Sequence, residues 1–391
     1  MNKLVELIQE LCPNGVSFVD LGECVKSVSN IRWRENGDKA YQYIDLTSVD
    51  IDTHNIHDTQ EIDKSNAPSR AQQIVCSEDV LLGTTRPLLK RFCLVPAEYD
   101  GDICSTGFCV LRADSNRVLP SWLFHLISST DFFTYVERVQ QGTSYPTITD
   151  AAVKAYRIPL PPIEVQREIV RILDNFTELT AELTAELTAR KKQYEYYRDS
   201  LFAVDNTEIT WTTLDRISEN CDRQRRPVTK GNRVAGKYPY YGASGIVDYV
   251  ADYIFDGDYL LVSEDGANLI ARSTPIAFSI SGKNWVNNHA HVLKFDTYEL
   301  RRYVEIYLNS VDLSRYISGG AQPKLSQENL NKIPIPVPSA ERIEYVVSIL
   351  DRFDILCNDL TTGLPAEIAA RQKQYEYYRD KLLTFKEQKS K

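Results

Sequence analysis

Apolar side chains at Ile169, Ile172, Leu173, Phe176, Leu179, Leu183 and Leu187 step by three and four. This spacing predicts a helix with one apolar stripe. The stretch iterates Thr-Ala-Glu-Leu (Thr180–Leu183, Thr184–Leu187) and contains neither Gly nor Pro. The spacing returns at Val346, Val347, Leu350, Phe353, Leu356, Leu360, Leu364 and Ile368. There Gly363 and Pro365 predict a kink or a short break. About 40 residues per helix gives a rod of roughly 60 Å. Such length without a cap signal points to a coiled coil rather than to two core helices of an ordinary domain. Each helix follows a proline ladder, Ile158-Pro-Leu-Pro-Pro162 and Ile333-Pro-Ile-Pro-Val-Pro338. Elsewhere short β-rich runs such as Asp79-Val-Leu-Leu82 and Tyr259-Leu-Leu-Val262 alternate with Gly, Asn and Asp turns, which predicts mixed globules.

The helices belong to a duplication. Lys192-Gln-Tyr-Glu-Tyr-Tyr-Arg-Asp199 recurs as residues 373–380, Ile172-Leu-Asp-Asn-Phe176 faces Ile349-Leu-Asp-Arg-Phe353, and Ala185–Arg190 faces Ala366–Arg371. The order of elements is therefore globule (1–157), helix (158–203), globule (204–332), helix (333–391). Domain termini often lie close together, and if those of the second globule do, the two helices run antiparallel. The expected fold class is α+β: two mixed α/β globules separated by two long antiparallel helices, with pseudo-two-fold symmetry. Tyr194 and Tyr197, with Arg198 beside them, and Tyr375 and Tyr378, with Arg379, each share a helix face. An identical surface presented twice suits two copies of one partner; the same tyrosines would also serve to pack the helices against each other.

Composition narrows the class. The 391 residues are 43% hydrophobic and 25% charged, as in ordinary globular proteins. No run of about 18 apolar residues exists for a membrane span, and the N-terminus lacks the apolar core of a signal peptide. Eight cysteines without a C-x-x-C pair argue against zinc and fit reduced thiols in the cytoplasm. The net charge of −9 means that any contact with DNA runs through local clusters rather than an overall field.

Two globules on a spacer suit a target with two parts at a set distance, as in duplex DNA. The proline-led helices, the Ile-Leu-Asp-x-Phe blocks and the Gln-Tyr-Glu-Tyr-Tyr-Arg-Asp repeats resemble the DNA-specificity (S) subunits of type I restriction–modification systems, with the Thr-Ala-Glu-Leu iteration resembling their IC-type branch. Tyr43–Asp50, Gly83–Pro87, Cys104–Gly107, Tyr238–Gly245 and Trp285–His291 look like segments of target-recognition domains. The resemblance implies that each globule reads one half of a bipartite, asymmetric site. It implies helices that set the gap and bind two modification (M) subunits, which methylate adenine N6 with S-adenosylmethionine. Restriction (R) subunits would join with ATP and Mg²⁺. The S subunit itself would carry no chemistry and bind no cofactor. A coiled-coil scaffold without sequence-specific DNA binding is the competing reading, but it leaves two non-identical, loop-rich globules unexplained.

The residues are consistent with a non-catalytic chain. No Asn/Asp-Pro-Pro-aromatic motif is present, and Gly231–Lys237 misses the phosphate-loop pattern because Tyr238 replaces the hydroxyl residue. His289 and His291 sit at i, i+2 without a third metal ligand pattern, so a structural or DNA-facing role is favoured over metal binding. Glu264-Asp265-Gly266 reads as a turn or as an acceptor for cytosine amino protons. The main DNA-facing candidate is basic and aromatic: Arg223, Arg225, Arg226, Lys230, Arg233 and Lys237, followed by Tyr240 and Tyr241. In the first globule the candidates are Thr84, Thr85, Arg86, Lys90 and Arg91, with Gln141, Thr143, Ser144 and Tyr145 as a second loop. Gln322 and Lys324 hold the matching place in the second globule, and His289 is added as a DNA-facing residue.

Overall fold

A computed structural model describes residues 2–35, 39–203, 209–320 and 322–388. The expected boundary at residue 204 lies outside the described residues. The chain forms two compact units: residues up to Thr184 together with those from Glu367 onward, and Ala185–Ala366. Each unit therefore combines one globule, the near part of the helix that follows it, and the far part of the other helix.

In the first unit the strands Val25–Lys26, Phe108–Ala113, Val80–Gly83 and Phe92–Leu94 form an antiparallel sheet in that spatial order. Leu81, Leu82 and Cys109 are fully buried there, because both faces of the central strands are covered. A second sheet runs Gln60–Ile62, Tyr41–Ile44, Ile103–Ser105, Ala71–Ile74, with its middle pair parallel. A third, two-stranded sheet pairs Ser17–Asp20 with Arg157–Leu160. The second unit repeats this plan strand for strand. Glu219–Asn220, Ala290–Lys294, Tyr259–Ser263 and Ala277–Ile280 form its first sheet. Gly245–Val250, Ala235–Gly242, Lys283–Val286 and Phe255–Asp256 form its second, and Thr210–Thr213 with Pro334–Val337 its third.

The proline ladders are thus strands before they are helix leaders. Pro159 lies opposite Phe18 and Pro336 opposite Trp211. A two-stranded ribbon has only edge strands, where proline's missing N–H is tolerated.

The helix Ile163–Phe202 is continuous over 40 residues. Only its start is sealed: Val165, Ile169 and Leu173 are fully buried in the core of the first unit, with Trp122, Leu126 and Phe132. The second repeat is two helices, Ala340–Asn358 and Leu364–Leu382. The Asp359 carboxylate takes the Thr361 and Thr362 N–H groups and ends the first of them. A Cβ on Gly363 would lie 2.5 Å from the Ile355 carbonyl oxygen, and Pro365 suits the first turn that follows. Within the second unit the helices are antiparallel, with Lys191 beside Cys357 and Tyr197 beside Phe353. In the first unit the C-terminal segment completes the globule: Val16 N–H donates to Lys386 and Gln388 N–H donates to Val16.

Candidate nucleic-acid interface

In the first unit, strand Val80–Gly83 runs out into Thr84, Thr85 and Arg86, and this exit is tied to the loop that follows helix Thr130–Val139. Ile148 N–H donates to Thr84, Arg86 N–H to Pro146, and Gln141 and Thr147 exchange both backbone bonds. Gly142, at φ +94°, makes the turn that displays Tyr145. The two polar loops singled out in the sequence therefore form one surface. Arg86 is exposed, its guanidinium 4.3 Å from the Tyr145 ring centre. Gln141, Thr143 and Ser144 are exposed, whereas Thr84 and Thr85 are half-buried. Lys90 is exposed, with its ammonium over Phe133. Arg91 departs from expectation: it donates to the Leu46 and Val49 carbonyls at 3.0 and 2.7 Å and anchors the loop from within.

The second unit builds the same loop pair with the same backbone bonds. Leu325 N–H donates to Glu264, Gly266 N–H to Pro323, and Ser318 and Lys324 exchange both bonds around Gly319. Position by position, Glu264, Asp265, Gly266 and Lys324 stand where the first unit has Thr84, Thr85, Arg86 and Thr147. Lys324 reaches Glu264 at 3.2 Å, His289 pairs with Asp265 at 2.8 Å on the surface, and Gln322 is exposed.

Beneath this loop lies a charged network. His291, fully sequestered, faces an Asp222 oxygen at 2.6 Å through Nδ1 and the Leu325 carbonyl at 2.8 Å through Nε2. Arg225 bridges Asp222 and Glu264 and donates to the Ala290 carbonyl. Burial alone would raise the Asp222 carboxyl, but the His291 contact, the Val292 N–H and Arg225 outweigh it and hold it below the usual range. Burial likewise works against Glu264, and Arg225, His291 and Lys324 pull it down. Asp222, Glu264 and His291 bring ligand atoms within 4.8 Å of one another, yet Arg225 and Lys324 already supply positive charge to these carboxylates.

The basic cluster accordingly splits. Arg223, Arg226, Lys230 and Lys237 are exposed. Arg225 belongs to the buried network. Arg233 pairs with Asp248, donates to the Val228 carbonyl and covers the Tyr240 ring. Tyr240 is 1% exposed, its hydroxyl bonded to Val228, and Tyr241 is half-buried against Phe278. Two of the six cations, Arg225 and Arg233, turn inward because the segment must also close its own core, which a linear sequence does not reveal. Gly236 and Lys237 lie in a strand, not in a phosphate loop.

The repeated tyrosines also divide. Tyr375 is 6% exposed and contacts the His125 ring nitrogen at 3.0 Å, while Arg379 is buried beside Thr130 and Asp380. Tyr194 packs against the apolar cluster that holds Tyr303 and Leu350, and Arg198 pairs with Asp199. Tyr378 stacks on Phe176 and Tyr197 leans on Phe353, both at 5.5 Å. The Ile-Leu-Asp-x-Phe block of each copy thus receives the tyrosine repeat of the other. Tyr375 and Arg379 are therefore not an open partner face. The outward rings are Tyr196, 69% exposed, and Tyr377, 60%. The sequence points to Tyr194, Tyr197, Tyr375 and Tyr378 and passes over Tyr196 and Tyr377, because which face of each helix is covered depends on the distant residues that pack on it.

One chain carrying two topologically equivalent mixed globules, each with the same loop pair and different loop chemistry, defines the class of protein. The type I restriction modification DNA specificity domain matches residues 13–190 and 208–370, so the chain belongs to the DNA-specificity family of type I restriction–modification systems. It is 31% identical over 301 residues to the EcoR124I/EcoR124II specificity subunit of Escherichia coli, 71% of this chain and 73% of that one. A putative type I specificity subunit of Haemophilus influenzae is 36% identical over 188 residues, but the match spans 47% of this chain and 48% of that one. Among solved structures, a chain from work on complex assembly and conformational transition of the type I R-M system superposes with a TM-score of 0.64. It is 26% identical, with 95% of this chain and 98% of that one covered. The S subunit from M. genitalium, 15% identical with a TM-score of 0.60, shows the same fold. No described helix is long and apolar enough to cross a membrane.

Proposed function

We propose that the chain is the non-catalytic DNA-reading subunit of a cytoplasmic type I complex. Residues 1–157 and 204–332 each read one half of a bipartite duplex site. Residues 158–203 and 333–391 set the distance between the halves and dock two M subunits that methylate adenine N6 from S-adenosylmethionine. R subunits join with ATP and Mg²⁺. This chain binds neither cofactor.

The observation that carries the reading is the recurrence of one backbone-bonded loop pair with unlike side chains, Thr84-Thr85-Arg86 against Glu264-Asp265-Gly266. A shared scaffold with exchanged surface chemistry suits two readings of one kind of target. On the DNA-facing surface the reading keeps Thr84, Thr85, Arg86, Lys90, Gln141, Thr143, Ser144 and Tyr145 in the first unit. In the second it keeps Arg223, Arg226, Lys230, Lys237, His289, Gln322 and Lys324.

The test is reconstitution. The purified chain alone should transfer no methyl group and hydrolyse no ATP. With M subunits added it should direct adenine methylation to a split site. Turnover of S-adenosylmethionine by the isolated chain overturns the non-catalytic assignment.

A further inference from the structure

Arg86 holds its backbone in the left-handed region, at φ 48° and ψ 56°. That conformation is costly for a residue with a Cβ and is kept where its surroundings impose it. Here they do: Arg86 N–H donates to Pro146 at 2.7 Å, and Leu89 N–H closes the next turn onto the Arg86 carbonyl. The side chain emerges over Tyr145, which is itself 68% exposed. Among the described residues no carboxylate pairs with this guanidinium. That sets it apart from Arg112, Arg225, Arg233 and Arg302, each held by an acid.

A phosphate contact needs charge and tolerates a mobile side chain. A backbone held by two hydrogen bonds and an aromatic ring 4.3 Å from the guanidinium instead restrict where the fork can lie, as recognition of a planar edge with two acceptors requires. In the major groove that edge is guanine O6 and N7. We propose that Arg86, positioned by Tyr145, reads a guanine in the half-site bound by the first unit. The matching position of the second unit is Gly266, so the two half-sites are read by different means. This inference rests on the DNA-reading function proposed above.

The test uses the full chain assembled with M subunits and a duplex pool randomised in one half-site, with bound molecules sequenced. Arg86→Gly suits it, because glycine takes the left-handed conformation without strain and the loop keeps its fold. The wild-type complex should require guanine at one position of that half-site. In Arg86→Gly this preference should fall by roughly ten- to a hundred-fold, with the other positions unchanged. Arg86→Lys should keep affinity but lose most of the preference, and Tyr145→Ala should weaken it at the same position alone. If Arg86→Gly weakens all sequences equally and lowers the log–log salt slope by about 0.9, Arg86 is a phosphate contact and the inference is overturned while the DNA-reading function stands. A wild-type complex with no half-site preference overturns both.

Discussion

In each unit a helix that follows the antiparallel sheet reaches the aspartate of the repeated Ile-Leu-Asp block. In the first unit His125 does so, contacting Asp174 at 2.9 Å and the Tyr375 hydroxyl at 3.0 Å. In the second unit Arg302 does so, binding Asp351 at 2.7 Å, with Asp354 and Glu305 on its other nitrogens and Tyr194 nearby. The strands that lead into the loops repeat the contrast. In the first unit Leu82 lies opposite the buried thiol of Cys109, whereas in the second Val262 lies opposite His291, which faces Asp222, and Arg225 joins Asp222 to Glu264. Backbone geometry is held while the chemistry inside it changes. Hydrogen-bonded loop exits and helix docking are specified by topology, so side chains at those points can be exchanged provided that each buried charge keeps a partner.

The largest effects on stability are expected at Arg302 and His125 themselves. Arg302→Ala leaves Glu305, whose side chain is 10% exposed, without its counter-ion, and should cost about 3–5 kcal/mol. His125→Ala removes two hydrogen bonds near a half-exposed aspartate and should cost about 1–3 kcal/mol. Urea unfolding of the two variants, with hydrogen exchange to locate the loss, checks the ranking. Equal losses would mean that the two contacts are energetically interchangeable.

The basic cluster provides the next contrast. Arg225→Ala should destabilise the second unit by about 1–3 kcal/mol, because it removes charged hydrogen bonds to Asp222, Glu264 and the Ala290 carbonyl and leaves His291 and Lys324 as the remaining partners of the two carboxylates. Arg223→Ala and Arg226→Ala should leave stability within about 0.5 kcal/mol and each lower the salt slope of DNA binding by about 0.9. A stable Arg225→Ala variant with a reduced salt slope would return Arg225 to the DNA surface.

Acid should act on the first unit through His54. Burial between Phe92 and its neighbours lowers this imidazole from 6.5 to about 4. The unfolded chain therefore takes up this proton before the folded one does. The stability contributed by the neutral ring is complete above about pH 6.5, declines as the pH falls, and is gone below about pH 4. His54→Asn, which tolerates the left-handed backbone at φ 57°, should flatten that window. Exchange protection of the first unit between pH 7 and 4 checks it, and an unchanged pH profile would count against the assignment.

The smallest effect on stability is expected at the outward rings. Tyr196→Ala and Tyr377→Ala should unfold within about 0.5 kcal/mol of the wild type, yet each should lose one M subunit by native mass measurement. Retention of both subunits in the double variant would move the docking surface elsewhere.

Local pattern was enough to reveal the duplication, both helical repeats and the break near Gly363 and Pro365, because helix periodicity and its interruption are written in neighbouring residues. It also singled out Arg86, Tyr145 and Lys324, since exposed polar loops carry turn residues around them. It could not show that the proline ladders pair as strands with segments more than a hundred residues away, or that Arg225 and Arg233 turn inward while Arg223 and Arg226 do not. Nor could it show that Tyr375 is sealed and Tyr377 open, although they lie two residues apart in one helix. The octapeptide carrying these tyrosines is identical in both copies, so its chemistry is determined by sequence. The face that remains free is decided only when Phe176 and Phe353 cover the other side, because burial depends on which distant surface arrives.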